Sequence, residues 1–495
     1  MKRFIKTPYL IIILMLAVAS CELYDNIDTK HSSVVSPESL FTNAQVAMVN
    51  QLNNSSVNNN ISRLLAQYWS EVTYTSESRY DFISRNIPDG YWNTMYRTVL
   101  MDFKESRTLL SAQDIDGTLA AIRDNKLLVI DIMEVYVYHT LVDAFGNVPY
   151  SEALLGAEKS DPVYDDAATI YADLITRLTA DVAGLDNSFG SFDATDILFS
   201  GDIDSWKIFA SSLKLRMGMR LADVNNTAAQ AAVQAAYNEG VYGAGEGAFF
   251  EYIGVTPHVN TIYNSFVVSN RKDFVPTNTL IDYMVGLTDP RLPLLFTMVD
   301  TNTVDPQEPP IYVGLEYGSY AGGPYFSQSN FTALFFEPTF EVVLIDYSEV
   351  EFILAEAVER GYSVGAASAE DHYNNGVTAN IEYWGGSAGD VSTYLGQANV
   401  AYTTAAATWR ETIGMQKWLA LYNRGVEGWA EWRRLDYPQL NIPEDLTYAD
   451  IPLRMPYPFR EDKLNKGNYV AASSAIGGDL VTTALFWDVI PTTFE

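Results

Sequence analysis

Apolar positions recur at spacings of three and four along most of this chain, the period of helices that bury one face. From Asp204 onward, Trp206, Phe209, Leu213, Met217 and Leu221 share a face. Tyr347, Val350, Leu354 and Ala357 form a second stripe, with Glu349, Glu351 and Glu359 outside it. Leu128, Val135 and Val142 recur at sevens in a helix expected over 124–145, which Gly146-Asn147-Val148-Pro149 ends. The same reading predicts helices over 38–50, opened by Ser36 and Pro37, and over 61–74, 91–110, 165–183, 227–238, 277–285, 372–384, 407–422 and 426–433. Tyr74 to Gly90 breaks the period, and Pro88-Asp89-Gly90 reads as a turn. Residues 241–340 lose periodicity and read as long loops with short strands, and the tail from Tyr437 is Pro-rich and irregular. The expected class is mainly α, with helix pairs toward both ends and a loop-rich platform between them.

The first residues follow another pattern. Lys2, Arg3 and Lys6 precede an apolar run from Tyr9 to Val18, then Ala19-Ser20-Cys21. This is the layout of a secretory signal, and the run is shorter than the ~20 residues needed to span a bilayer. Val18-Ala19-Ser20-Cys21 matches a bacterial lipobox, and Cys21 is the only cysteine. The expectation is a lipoprotein signal peptide over 1–20, a lipidated tether over 21–37 with Cys21 carrying the lipid, and one domain over 38–495, its loop-rich region near 241–340.

Charge narrows the function. The chain carries 31 Lys+Arg against 62 Asp+Glu, a net −31, and loss of residues 1–20 would make it more negative. Such a surface repels phosphate backbones, which excludes nucleic acid as a partner, and it offers no basic patch for a membrane. A lone cysteine leaves no intramolecular disulfide and no thiolate metal site. Aromatics make up 13% of residues, with 32 tyrosines; in an acidic secreted protein this suits sugar rings, whose C–H faces stack on aromatics.

Catalytic motifs are sparse. There are four histidines, no HExxH and no GxSxG, and His139 sits on an apolar helix as a core histidine. A glycosidase needs two carboxylates ~5–10 Å apart across a cleft, which residue counting does not reveal. Gly243-Ala244-Gly245-Glu246-Gly247 follows a helix and lacks a lysine, so it reads as helix termination. Asp114-Ile115-Asp116-Gly117 lacks the glutamate that would complete a calcium loop and reads as a turn.

Several segments, taken in order, resemble the SusD/RagB family of nutrient-binding outer-membrane lipoproteins, nearest its SusD-like branch typical of Bacteroidetes. They are Asp143 to Ala153 with Pro162-Val163-Tyr164-Asp165; Gly201-Asp202 to Trp206 with Leu213-Lys214-Leu215-Arg216 and Arg220-Leu221-Ala222; and Asp289-Pro290-Arg291-Leu292-Pro293. Tyr347 to Glu356, Gln416 to Leu421, Glu431-Trp432-Arg433-Arg434, Pro452 to Pro458 and Trp487-Asp488 complete the series. The resemblance implies tetratricopeptide-like helix pairs and a ligand site built from loops. It also implies a lipid-anchored protein on the cell surface at the outer membrane, without enzymatic activity. Such a protein captures an oligomeric nutrient, most often a glycan, and hands it to a SusC-type TonB-dependent transporter. Some family members carry structural calcium; otherwise no cofactor and no metal is implied.

On this reading Trp206, Trp418, Trp429, Trp432 and Tyr347 pack inside signature helices, and Glu356 makes an internal bond. Ligand candidates are aromatics and their polar neighbours on irregular segments. One cluster is Tyr74, Arg79, Tyr80 and Phe82; a second is Tyr263, Asn264 and Phe266, with Asn270 and Arg271 following. A third is Tyr317, Tyr320, Tyr325 and Phe326, and a fourth is Tyr383 and Trp384 before Gly385-Gly386. Two other functions stay open at this point: peptide cargo on the same fold, and a surface glycoside hydrolase.

Overall fold

The amphipathic stripes do form helices, and these pack in pairs. The computed structural model describes residues 35–300, 310–444 and 451–490. Contacts divide the chain into Met1–Ser36 and Pro37–Glu495. Cys21, the expected signal peptide and nearly all of the expected tether lie outside the described residues. Among the described residues, no helix is long and apolar enough to cross a membrane.

The main helices are α1 (Pro37–Asn53), α2 (Met101–Ser111), α3 (Gly117–Phe145), α4 (Ala167–Gly184), α5 (Ile203–Arg220), α6 (Asn226–Glu239), α7 (Asn278–Gly286), α8 (Tyr347–Glu359), α9 (Ala369–Tyr383), α10 (Trp409–Ala420) and α11 (Gly425–Leu435). The strongest pairings are α8 with α9, α5 with α6, α1 with α2, and α3 with α4. Starts are set by side chains that accept otherwise unpaired N–H groups. Asp166 caps α4 from Thr169, Asp202 caps α5 from Ser205, and Asp346 caps α8 from Glu349. Strand content is small: β1 (Trp69–Glu71) pairs with β5 (Phe274–Pro276), β2 (Val148–Pro149) with β3 (Tyr164–Asp165), and β4 (Gly247–Phe250) with β6 (Val342–Asp346), all antiparallel.

Three expectations differ from the structure. The helix expected over 61–74 is a single turn at Ser62–Leu65 followed by β1. Gln67 turns left-handed at φ +53, and the short Trp69-Ser70-Glu71 run then finds a strand partner more than 200 residues away. The Pro88-Asp89-Gly90 turn is instead the first turn of a helix, Ile87–Asn93, where proline's missing N–H costs nothing. Within the tail expected to be irregular, Lys466–Ala475 is helical.

The signature residues of the sequence meet inside the helix pairs as one buried ionic network. Arg216 and Arg220 lie one turn apart on α5, Glu427 and Glu431 one turn apart on α11, and each pair shares a helix face. Arg216 donates to both Glu349 carboxylate oxygens at 2.6 and 2.8 Å, and Arg424 reaches Glu349 at 3.0 Å and Asp346 at 3.1 Å. Arg220 bridges Glu427 at 2.7 Å, Asp143 at 3.2 Å and Glu431. Lys417 reaches Glu431 at 2.6 Å, and Arg434 joins Glu431 to Glu356. Arg360 continues from Glu356 to Asp223. Trp487 donates to Asp143 at 2.9 Å. Glu356 is therefore the internal partner its packed setting implied. His139 is likewise buried, with Nδ1 2.6 Å from the Tyr136 carbonyl oxygen, and burial pushes its pKa down to about 4.

Removing one partner of such a network leaves the others buried and unpaired, at about 3–5 kcal/mol. Glu349→Gln removes the two-oxygen partner of Arg216 and leaves Arg424 with Asp346 alone; it is expected to lower unfolding free energy by up to that amount in urea titrations, and a change under about 1 kcal/mol would show that the pair is dispensable. Acid should act in the same way. Burial opposes ionisation of Glu427, but Arg216 and Arg220 outweigh it and hold its pKa at about 2; Arg434 and Lys417 act likewise on Glu431. A carboxylate whose folded pKa is depressed contributes stability above its unfolded value, near ~4.3, and loses it as pH falls toward the folded value. The melting temperature should therefore fall steeply between pH ~4.3 and ~2, and a flat profile across that window would contradict the network's role.

Candidate binding platform

The irregular segments converge on the β1–β5 pair. Its register sets Trp69 opposite Pro276, Ser70 opposite Val275 and Glu71 opposite Phe274. One residue further on, Val72 N–H donates to the Asp273 carbonyl at 2.8 Å. The Val72 carbonyl accepts from Gly323 N–H at 3.3 Å, Leu315 N–H donates to the Pro276 carbonyl at 3.0 Å, and Asn278 N–H donates to the Leu315 carbonyl at 2.8 Å. The segment 315–326 thus lies along the edge of the strand pair. Gly322 is required there. Its φ is +63, and a Cβ would sit 2.2 Å from the Val72 carbonyl oxygen.

The strand pair is tied to the helix layer. Tyr68 donates to the Trp418 carbonyl at 2.7 Å, and Trp418 Nε1 donates back to the Ala66 carbonyl at 3.0 Å. Trp69 Nε1 donates to the Tyr422 hydroxyl at 3.2 Å and packs on Phe331, Phe274 and Phe266.

The first three clusters each divide between interior and surface. Tyr80 and Phe82 are buried; Tyr80 takes a hydrogen bond from Gln67 Nε2 at 3.2 Å and packs on Tyr317. Tyr317 is buried and donates to the Leu64 carbonyl at 2.7 Å. Phe266 belongs to the Trp69–Phe331 cluster. These four rings present no face to a ligand, because the loops need a core of their own. Trp384 packs against Phe335, Phe340 and Tyr422, and the half-buried Tyr383 stacks on Phe249, so neither joins the platform. Tyr263 and Tyr325 are half-buried, and Asn264 is exposed. Tyr325 packs on Val72, Val275 and Leu315, the small core beneath the strand edge.

Three rings remain open: Tyr74, Tyr320 and Phe326 are 71%, 63% and 74% exposed. The Arg79 guanidinium lies 4.6 Å from the Tyr320 ring centroid, and Lys272 Nζ lies 4.9 Å from that of Phe326. Thr75 Oγ1 donates to the Tyr320 carbonyl at 3.2 Å, joining the first cluster to the third. Lys272 was not among the sequence candidates, although it follows Arg271 directly. Tyr74 also borders a recess of about 180 Å³ with Asn58, Arg85, Arg271 and Asp273. Glu71 lines this recess too. Its Oε2 accepts from Ser78 N–H at 2.9 Å and Ser78 Oγ–H at 3.1 Å. Burial first, and then the Glu77 carboxylate, pushes the Glu71 pKa up to about 9. Glu77 itself pairs with Arg85.

Open rings beside hydrogen-bonding cations suit a flat ligand with apolar faces and polar edges. Among the described residues, no group of three or more His, Cys, Asp or Glu is placed to hold a metal; Asp116 is the residue before α3.

Gly322→Ala is expected to detach the strand-edge segment without unfolding the helices. Limited proteolysis should cut within 315–326 faster, while the main thermal transition shifts little. Unchanged cleavage would show that the Val72 contact does not fix this loop.

The comparisons agree with this architecture. The SusD-like family described as starch-binding and associating with outer membrane matches residues 29–458. A solved chitin-binding protein is 27% identical, with a TM-score of 0.80 over 92% of this chain and 100% of its own. A SusD homologue from Bacteroides thetaiotaomicron is 23% identical, with a TM-score of 0.76 over 92% of this chain and 100% of its own. A chitin-binding SusD homologue from Flavobacterium johnsoniae is 23% identical, with a TM-score of 0.75 over 92% of this chain and 98% of its own. No curated protein sequence matches.

Proposed function

Given that this chain belongs to the SusD-like family, we propose that it captures oligosaccharides at the outer cell surface and passes them, unaltered, to a SusC-type TonB-dependent transporter. The observation that carries this reading is the set of three open rings, Tyr74, Tyr320 and Phe326, on loops from distant parts of the chain that meet at one strand pair. The family's outer-membrane association and the chitin-binding relatives support it. In this reading Cys21 carries the lipid, the tether lets the body swing, and no cofactor, metal or structural calcium is needed.

The alternatives draw less support. A peptide bound by strand addition needs an open strand edge, and the edge at Val72 is already occupied by Gly323. A hydrolase needs a carboxylate pair with freedom to trade protons. The two carboxyl groups lining the recess are engaged: Arg271 holds Asp273, and Ser78 holds Glu71. Binding without turnover is the simpler reading.

Affinity electrophoresis and calorimetry on residues 22–495 against a panel of starch, chitin oligosaccharides and other glycans test it. At least one glycan should bind and be recovered uncleaved. The triple variant Tyr74→Ala/Tyr320→Ala/Phe326→Ala should weaken that binding by about tenfold or more, equivalent to ~1.4 kcal/mol. Absence of binding to any glycan would contradict the proposal, as would full affinity in the triple variant.

A further inference from the structure

Two cations of the platform, Arg79 and Lys272, depart from the pattern of most of this surface. With 62 acidic residues for 31 basic ones, an exposed Lys or Arg ordinarily meets a carboxylate. Arg107 meets Asp131 and Glu134, Arg123 meets Asp124, Lys126 meets Glu38, Lys159 meets Glu152 and Lys463 meets Asp462. Arg79 and Lys272 have no carboxylate within 4 Å among the described residues. Arg79 donates Nε–H to the Thr75 carbonyl at 3.3 Å and lies on Tyr320; Lys272 meets the Phe326 ring. Arg97, Lys104 and Lys207 also lack a carboxylate partner among the described residues, but none of them lies over a ring; Lys104 meets the Leu154 carbonyl.

Four of the neighbouring acids are already committed. Glu77 pairs with Arg85, and Asp273 with Arg271. Asp81 accepts from the Ile83 and Ser84 N–H groups at 3.0 Å and from Ser84 Oγ–H. Glu71 is buried against Ser78. Glu316, on the strand-edge segment, is exposed. Two cations are thus left with their charge unmatched by a partner, each beside an open ring.

A guanidinium lying on a ring keeps in-plane N–H donors for a carboxylate or sulfate, here the terminal ones since Nε–H is used by Thr75, and an ammonium over a ring acts as a point charge beside an apolar face. One ligand chemistry uses both features: a sugar ring with an apolar face and an anionic substituent. The net negative charge of the chain does not prevent this, because fields decay over ~8 Å at physiological salt and the local groups dominate a bound contact. Building on the oligosaccharide reading above, we propose that the platform selects anionic oligosaccharides, bearing carboxylate or sulfate groups, through Arg79 on Tyr320 and Lys272 on Phe326.

The test uses residues 22–495 in affinity gels containing polygalacturonate, dextran sulfate, soluble starch or chitin oligosaccharide conjugates. One anionic polymer should retard the protein at least about tenfold more strongly than either neutral glycan. Which anionic polymer does so separates a carboxylate ligand from a sulfated one. Arg79→Gln/Lys272→Gln should remove about tenfold or more of that affinity, with the circular dichroism spectrum unchanged, and raising sodium chloride should weaken the native protein more than the double variant. Equal or stronger binding of a neutral glycan would overturn the proposal, as would anionic binding indifferent to the double substitution; in both cases the oligosaccharide reading survives. Failure to bind any of the four, or any glycan of the wider panel, would remove both.

Discussion

The buried pairing of Arg216 and Arg220 on α5 with Glu349, Glu427 and Glu431 is the constraint on which the architecture rests. Ion pairs removed from water contribute little net stability, since desolvation offsets attraction, but a misplaced partner is costly. Five helices, α3, α5, α8, α10 and α11, meet at this network. A one-turn slip of any of them would leave a charge buried without a partner. The network therefore acts on register more than on total stability, and it fixes where Trp418 and Tyr422 stand. Those two residues hold Tyr68 and Trp69, and through them the strand pair that carries the platform.

This division explains why the residues most diagnostic of the family are not those suited to meet a ligand. Asp143, Arg216, Glu356, Lys417, Glu431 and Trp487 are buried framework. The open rings sit on segments without such constraints, where side chains can change while the framework stays. The loops still need their own interior, supplied by Tyr80, Phe82, Phe266 and Tyr317, and this is why each loop turns some rings inward.

The helix layer was legible because its apolar stripes are long. The stripe from Trp206 to Leu221 and that from Tyr347 to Ala357 predict their helices to within a few residues. Trp69-Ser70-Glu71 was not legible, since three residues carry no period and the partner strand lies at 274–276. The aromatic loop clusters were visible as groups, but which rings face outward depends on long-range contacts. Tyr320 is exposed and Tyr317 buried only because the segment lies across Val72 at Gly322 and Gly323. Lys272 is not legible in the sequence for the same reason: its setting depends on Phe326, 54 positions away.

The helix layer is proposed to hold three loops on one strand pair as a ligand surface. Hydrogen exchange read by mass spectrometry, with and without a bound glycan, tests it most directly. Ligand should slow exchange in 72–86, 264–274 and 315–328 together, while α5, α8, α10 and α11 remain slow and unchanged. Protection confined to the helix pairs, or to only one of the three segments, would contradict the account.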